Sequence, residues 1–311
     1  MSTAFYSHPD CRLHDMGEGH PECPQRLAAI DDYLIASGLD IALDRRDAPL
    51  ASPRDIEYAH TAGYVTETCD LLGGLQASGE TRAFDPDTAA GPHTLAAALR
   101  AAGAAVAATD AVLDGEVENA FCAVRPPGHH ATRDAAMGFC FFNNVAVAAR
   151  HALDVRGLQR VAIIDFDVHH GNGTEDIIAG DERVLMASFF QHPLYPYSGA
   201  VPKGTNMINV PIPPYTRGAE IRDLIEANWM PRLEAFRPEM IFISAGFDAH
   251  REDDLGQLGL VESDYEWITL RVMGVAQRHA QGRIVSCLEG GYHLGALARS
   301  VATHLRALAG V

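Results

Sequence analysis

In the stretch IIDFDVHHGNGTED, residues 163–176, an apolar run ends in two aspartates and two histidines. Extended backbone sends alternate side chains to the same side, so Asp165, Asp167 and His169 share one direction while Phe166 and Val168 share the other. Asp167 and His169 can then bind one divalent ion, and His170 is directed away from it. A third ligand must come from another strand end, and Asp248 in ISAGFDAH is the best placed candidate. Two carboxylates and one imidazole leave part of a zinc coordination sphere open for water and a substrate carbonyl, which is the catalytic rather than the structural pattern.

Two further segments supply what such a metal would need beside it. His129 and His130 follow RPPG, where the prolines and Gly128 stiffen and turn the chain so that both rings can face one cleft. Adjacent imidazoles suit proton work near neutral pH, one accepting from an attacking water and the other donating to a leaving amine. Each ring needs an orienting acceptor, and Asp165 and Asn172 are the nearby candidates. In SCLEGGYH the glycines let backbone approach a site closely, and the Tyr292 phenol can donate to the oxygen that turns negative when water attacks a carbonyl. Taken singly, each segment reads equally well as an ordinary turn or rim. Four of them at strand ends do not read as chance decoration.

The elements that would position these residues alternate. Strands are expected at 3–7, 120–124, 160–167, 183–189, 240–246 and 283–290, and helices at 24–37, 53–72, 93–113, 139–156, 218–236, 262–280 and 293–309. Alternation of this kind means an α/β fold with a mainly parallel sheet and helices on both faces, whose ligands bind beyond the carboxyl ends of the strands. No composition shift or fixed-period repeat divides the chain, and the Pro-rich NVPIPPYTRG (209–218) reads as a loop, so residues 1–311 form a single domain.

Composition narrows the partners. The net charge of −17 disfavours nucleic acid and anionic membranes, while 47% hydrophobic residues predict a large core. Six cysteines without a CxxC pair indicate neither a disulfide framework nor a zinc finger. The N-terminus lacks a basic segment followed by an apolar one, so a cytoplasmic protein is expected. The Ala-rich run from Thr94 to Leu113 carries Arg100 and Asp110 and reads as a core helix rather than a membrane span. The oligomeric state is left open, with a homo-oligomer allowed.

With RPPGHHATRDAAMGFCFFNNVAVAAR, DFDVHHGNGTED, SAGFDAHREDDLGQLGL and LEGGYHL in order, the sequence resembles the zinc-dependent histone deacetylase superfamily, in particular class II members and bacterial deacetylase-like amidohydrolases. The resemblance runs from about Tyr6 to the C-terminus and implies the arginase-like fold. It makes Asp167, His169 and Asp248 ligands of one catalytic zinc ion, and Tyr292 the carbonyl-polarising phenol. His130 becomes the general base, with His129 as its electrostatic partner and Asp165 and Asn172 as their orienters. A structural potassium ion is implied as well, held by Asp165 and Ser188 side chains and by carbonyls of Asp167, His169 and Phe189. The acyl-lysine tunnel would be walled by Gly138, Phe139 and Tyr195, with Asp87 at the rim and Arg26 in the inner cavity.

The implied activity is removal of acetyl or related short acyl groups from lysine side chains of proteins or peptides. The rivals are deacetylation of acetylpolyamines or other small amides and, less readily, silent acyl-lysine binding. One departure bears on the choice. Polyamine-selective members carry a glutamate seven residues after the last zinc aspartate, where this chain has Leu255, which cannot pair with a distant ammonium. The REDD run, Arg251 to Asp254, reads as a solvated loop rather than a substitute for that carboxylate.

Overall fold

Runs of β-branched and aromatic residues between turn formers become eight parallel strands of one sheet in the computed structural model, which describes residues 2–311. In chain order these are β1 (Thr3–Ser7), β2 (Leu43–Asp47), β5 (Asn119–Cys122), β6 (Val161–Asp165), β7 (Val184–Gln191), β8 (Met207–Ile212), β9 (Met240–Ala245) and β10 (Ile284–Leu288). A separate antiparallel ribbon pairs β3 (Arg82–Ala83) with β4 (Ala89–Ala90). Across the sheet the order is β2-β1-β5-β10-β9-β6-β7-β8. The last strand in sequence thus lies near the middle of the sheet.

That order decides where the chemistry goes. The adjacent strands β5, β10, β9 and β6 are buried along their whole length, as expected of parallel strands covered on both faces. They are also the four that lead into RPPGHH, EGGYH, GFDAH and DFDVHH. Because they are parallel, all four polar segments emerge on one edge of the sheet, side by side.

The helices are α1 (Asp10–Leu13), α2 (Gln25–Ala36), α3 (Pro53–Glu57), α4 (Ala62–Ser78), α5 (Thr94–Leu113), α6 (Asn144–Asp154), α7 (Asn172–Ile178), α8 (Gly218–Phe236), α9 (Glu262–His279) and α10 (Leu294–Ala309). On one face α5 and α6 pack together over the central strands. On the other, α2, α10, α9 and α8 succeed one another, and His304 of α10 meets Phe121 and Phe166 edge-on. By length and composition α5 could cross a membrane, yet Ala97, Ala101, Ala104, Ala105 and Ala108 are fully buried, and their small side chains let its backbone lie close to its neighbours.

Several sequence expectations are corrected. The helix expected at 139–156 begins only at Asn144, because Gly138 and Phe139 take φ of 56° and 70° and turn the chain, and the Asn143 side chain then accepts from Ala146 N at 3.0 Å as the cap. The helix expected at 53–72 is two, α3 and α4, each started by its own cap at Ser52 and Thr61. The Pro-rich loop at 209–218 holds most of β8, an edge strand, where a proline leaves no ladder bond unmade. β2 was hidden for a related reason: LDRRD is an edge strand with charged residues and no apolar alternation.

One buried ion cluster ties the N-terminal segment to this edge. Arg125, fully buried after β5, donates to both carboxylate oxygens of Glu22, to the Glu22 carbonyl at 3.1 Å, and to the carbonyls of Cys11 and His14 at 2.9 Å each. Burial by itself would raise the Glu22 carboxyl, but Arg125, helped by Arg26, holds it at about 2. This contribution is complete above the unfolded carboxyl range and is lost as pH falls through about 2. Replacing one partner leaves the other charge stranded, so Arg125→Met should lower unfolding stability by about 3–5 kcal/mol in a urea titration at neutral pH. A loss below about 1 kcal/mol would mean the cluster is not holding this segment.

Candidate active site

The strand expected at 160–167 stops at Asp165, and turns, not extended backbone, converge the next residues. The Asp165 carboxylate accepts Asp167 N at 3.1 Å, and the Asp167 carboxylate accepts His169 N at 2.9 Å. Each short side chain thereby folds its own backbone two residues on. Asp165 is left facing His129, while Asp167 and His169 swing toward β9 and β10.

There they meet Asp248. One ligand atom from each of Asp167, His169 and Asp248 lies within 4.8 Å of the others, the only such triad of His, Cys, Asp or Glu found among the described residues. His169 Nδ1 is 3.0 Å from Asp167 Oδ1 and 3.1 Å from Asp248 Oδ2. The carboxylates are aimed by main-chain donors: Val168 N reaches Asp248 Oδ1 at 2.9 Å, and Gly290 N reaches Asp167 Oδ2 at 2.8 Å. Backbone comes this close only because glycines stand there. A β-carbon added at Gly246 or Gly290 would fall on these carboxylates, and one at Gly171 would fall on Asp165.

The charges show what the triad fits. Burial, then the neighbouring Asp167 carboxylate, raises the Asp248 carboxyl to about 7. His169 is buried too, but its hydrogen bonds to the carboxylates of Asp167 and Asp248 raise it to about 10, so positive charge is favoured between the two carboxylates. Two buried carboxylates and an imidazole form a donor set that suits a divalent cation.

Above the triad the two tandem histidines have unlike partners. His129 Nδ1 donates to Asp165 Oδ2 at 3.0 Å, and its Nε2 is 3.8 Å from Asp167. His130 Nδ1 donates to Asn172 Oδ1 at 2.7 Å, an orientation supported by Asn172 Nδ2 pointing to Met137 Sδ at 3.4 Å. Both rings are buried, which opposes charge. The carboxylates of Asp167 and Asp165 override this and raise His129, whereas His129 and His169 lower His130 further. The pair therefore holds one imidazole that is readily charged and one that stays neutral.

A cleft of about 530 Å³ opens over His130, His169 and Tyr292. Gly138, Phe139, Tyr195 and Leu255 form its walls and Asp87 stands exposed at the rim, together with His20, Pro21, Leu194 and Tyr197, which sequence reasoning did not single out. The Phe139 ring meets Tyr292 edge-on at 5.9 Å, and Tyr195 meets His130 at 5.2 Å. Burial, followed by the Asp248 charge, raises the Tyr292 hydroxyl well above its ordinary value and keeps it a neutral donor.

Arg26 does not line the cleft. It lies buried behind Tyr292, its guanidinium 5.0 Å from the ring centroid, donating to the carbonyls of Gly291 at 2.7 Å and Glu289 at 2.5 Å and to Glu22. Ser188 and Phe189 are buried in β7, with Ser188 in register with Asp165. His170 is also outside the cleft, braced against Glu175 at 3.2 Å and Ser198 at 3.0 Å.

Glu289 was missed altogether. Its carboxylate accepts Gly128 N at 2.6 Å, His129 N at 3.1 Å and the Ser244 hydroxyl at 2.9 Å, joining β5, β9 and β10 beneath the histidines. The only signal was its place directly before two glycines at a strand end. Asp253 was passed over as part of a charged loop, yet it accepts Tyr292 N at 2.6 Å, His293 N at 2.9 Å and Leu255 N at 3.1 Å.

Comparison with known proteins agrees with this geometry. A histone deacetylase domain matches residues 20–308. The histone deacetylase-like amidohydrolase of Pseudomonas aeruginosa is 39% identical, covering 88% of this chain and 73% of that protein. Polyamine deacetylase HDAC10 of Mus musculus is 38% identical over 100% of this chain and 48% of its own length. The crystal structure of the HDA15 HD domain superposes with a TM-score of 0.92 at 31% identity, covering 100% of this chain and 90% of that one, and it shares the arginase-like α/β architecture built here on eight parallel strands. On this evidence the chain belongs to the histone deacetylase family.

Proposed function

We propose that the protein is a zinc-dependent amidohydrolase that removes acetyl or similarly short acyl groups from lysine side chains of proteins or peptides. One observation carries the reading: a cleft floored by His130, His169 and Tyr292 directly above two carboxylates that need a cation. Asp167, His169 and Asp248 would hold the zinc. When bound, it supplies Lewis acidity toward the amide carbonyl and the attacking water.

The remaining steps belong to the chain's own groups. With Nδ1–H donated to Asn172, His130 keeps a lone pair on Nε2, and the ring borders the cleft where it can accept a proton and return it. It takes a proton from water as the water oxygen bonds to the amide carbon. Tyr292 donates to the oxygen that becomes negative. The C–N bond then breaks as His130 returns the proton to the amine nitrogen. His129, held by Asp165, contributes positive charge beside the same centre.

The aromatic walls Phe139 and Tyr195 suit the apolar stem of an acyl-lysine, and Leu255 puts no charge on the facing wall. The mouse relative's name raises acetylpolyamines as the alternative substrate. Leu255 argues against them, because a second ammonium would find no carboxylate at that position. A potassium ion behind the triad is part of the same proposal, supported by Asp165 and Ser188 being register partners, each 1% exposed.

Three outcomes are expected. Metal analysis should find one zinc per chain, lost in Asp167→Ala and in Asp248→Ala; full occupancy in both would remove these residues from the ligand set. Tyr292→Phe should lower kcat on an acetyl-lysine peptide by about a hundredfold to a thousandfold while KM moves within a few fold, since one donor to the transition state is removed. Wild-type turnover by that variant would sink the mechanism. Leu255→Glu should shift relative kcat/KM toward acetylpolyamines by about tenfold, the effect of a partly screened ion pair; an unchanged ratio in a folded variant would show that Leu255 does not set the choice.

A further inference from the structure

We propose that the groove beside the cleft, flanked by Arg217 and Arg251, is a subsite for the carboxylate of an acidic residue close to the acyl-lysine in the substrate peptide. The proposal rests on the deacylase reading above and names the substrate class of that site. The groove has a volume of about 620 Å³, and its only charged lining groups are these two arginines. Both are exposed, and among the described residues neither has a carboxylate within 4.0 Å or an acceptor for its side chain. Elsewhere this acidic chain neutralises most of its arginines: Arg46, Arg156, Arg183, Arg222 and Arg299 each have a carboxylate partner. These two guanidiniums share one groove whose lining holds no carboxylate, so an external carboxylate would meet both without competition from the groove itself. A guanidinium fork matches a carboxylate and holds it without a further counter-charge.

The groove and the cleft adjoin along the chain. Leu255 walls the cleft and the next residue, Gly256, walls the groove. Gly256 packs so closely on the Asp248 carbonyl that no side chain could stand between. Tyr215 forms part of the groove wall in a form that a non-glycine residue adopts at a cost: φ is 68°, the ring is 74% exposed, and the backbone N–H is tied to the Gln257 carbonyl at 2.7 Å. An extended peptide advances about 3.3 Å per residue, so the flanking position that meets this wall is found by moving the acidic residue one position at a time.

The test is a set of acetyl-lysine peptides that differ only in Glu or Gln at each flanking position. They are assayed on the full-length zinc enzyme and on Arg217→Gln/Arg251→Gln, whose exposed side chains leave folding untouched by thermal melt. Wild type should prefer Glu at one flanking position by about three- to tenfold in KM at low salt, a preference that shrinks as salt rises. In the double variant the two peptides should become equal, with turnover of the Gln peptide unchanged. No Glu preference at any position, or one that survives in the double variant, overturns the subsite. Fluorescence anisotropy with the same labelled peptides reads it independently of catalysis. If no peptide is hydrolysed the deacylase reading fails, whereas tighter binding of the Glu peptide, lost in the double variant, still supports the subsite and equal binding refutes it.

Discussion

Two carboxylates, Asp167 and Asp248, are buried against one imidazole at the edge of a parallel sheet, and much of the structure follows from the cost of that arrangement. Like charges in a low-dielectric interior repel strongly, so both can be ionised only with positive charge between them. That repulsion, after burial, raises the Asp248 carboxyl to about 7, and hydrogen bonds to the two carboxylates raise His169. An interior that tolerates this conflict has to be held rigidly by something else. Here main-chain N–H groups of Val168, His169 and Gly290 fix the carboxylate oxygens from three directions.

Those donors come from different strands, which explains why the sheet order matters more than any single motif. β5, β10, β9 and β6 are neighbours, so their C-terminal turns form one surface although they are far apart in sequence. Close approach of these turns requires backbone without side chains, and Gly171, Gly246 and Gly290 meet that requirement where a β-carbon would land on an aspartate. Glu289 then links three of the four strands from below, through Gly128, His129 and Ser244. Burial raises its carboxyl to about 7, while the main-chain donors of Gly128 and His129 and the charge of His129 favour its ionised form.

Legibility from sequence followed the same physics. Strand ends with chemically active side chains were readable because apolar runs point to buried strands and polar residues directly after them have few other reasons to be there; Asp167, His169, Asp248, His130 and Tyr292 were found this way. The edge strands β2 and β8 were not readable, since charge and proline serve to protect an edge and erase the alternation that announces a strand. The start of α6 was misplaced because Phe139 at positive φ gives no sign of itself in sequence. Arg26 lies behind Tyr292 rather than in the cleft, its guanidinium serving the carbonyls of Gly291 and Glu289. Glu289 and Asp253 were invisible for a different reason: both act on backbone N–H groups, which carry no sequence signature.

The tandem histidines show how far one atom can divide the labour of two identical side chains. Each donates Nδ1–H to an oxygen, at 3.0 Å for His129 and 2.7 Å for His130, so geometry alone does not distinguish them. The acceptors differ in charge. Asp167 and the carboxylate of Asp165 favour a charged ring at His129, while the neutral amide of Asn172 favours it only weakly at His130, where burial, His129 and His169 prevail. An aspartate at 172 would raise the proton affinity of His130 and make the two rings more alike. With asparagine there, His129 can carry charge that His130 is then unwilling to share, because a second positive ring 4.0 Å away is disfavoured. The neutral ring is also the one that opens onto the cleft. Two identical side chains are thus given unlike proton affinities by their neighbours, and the cleft opens over the ring whose affinity is lowered.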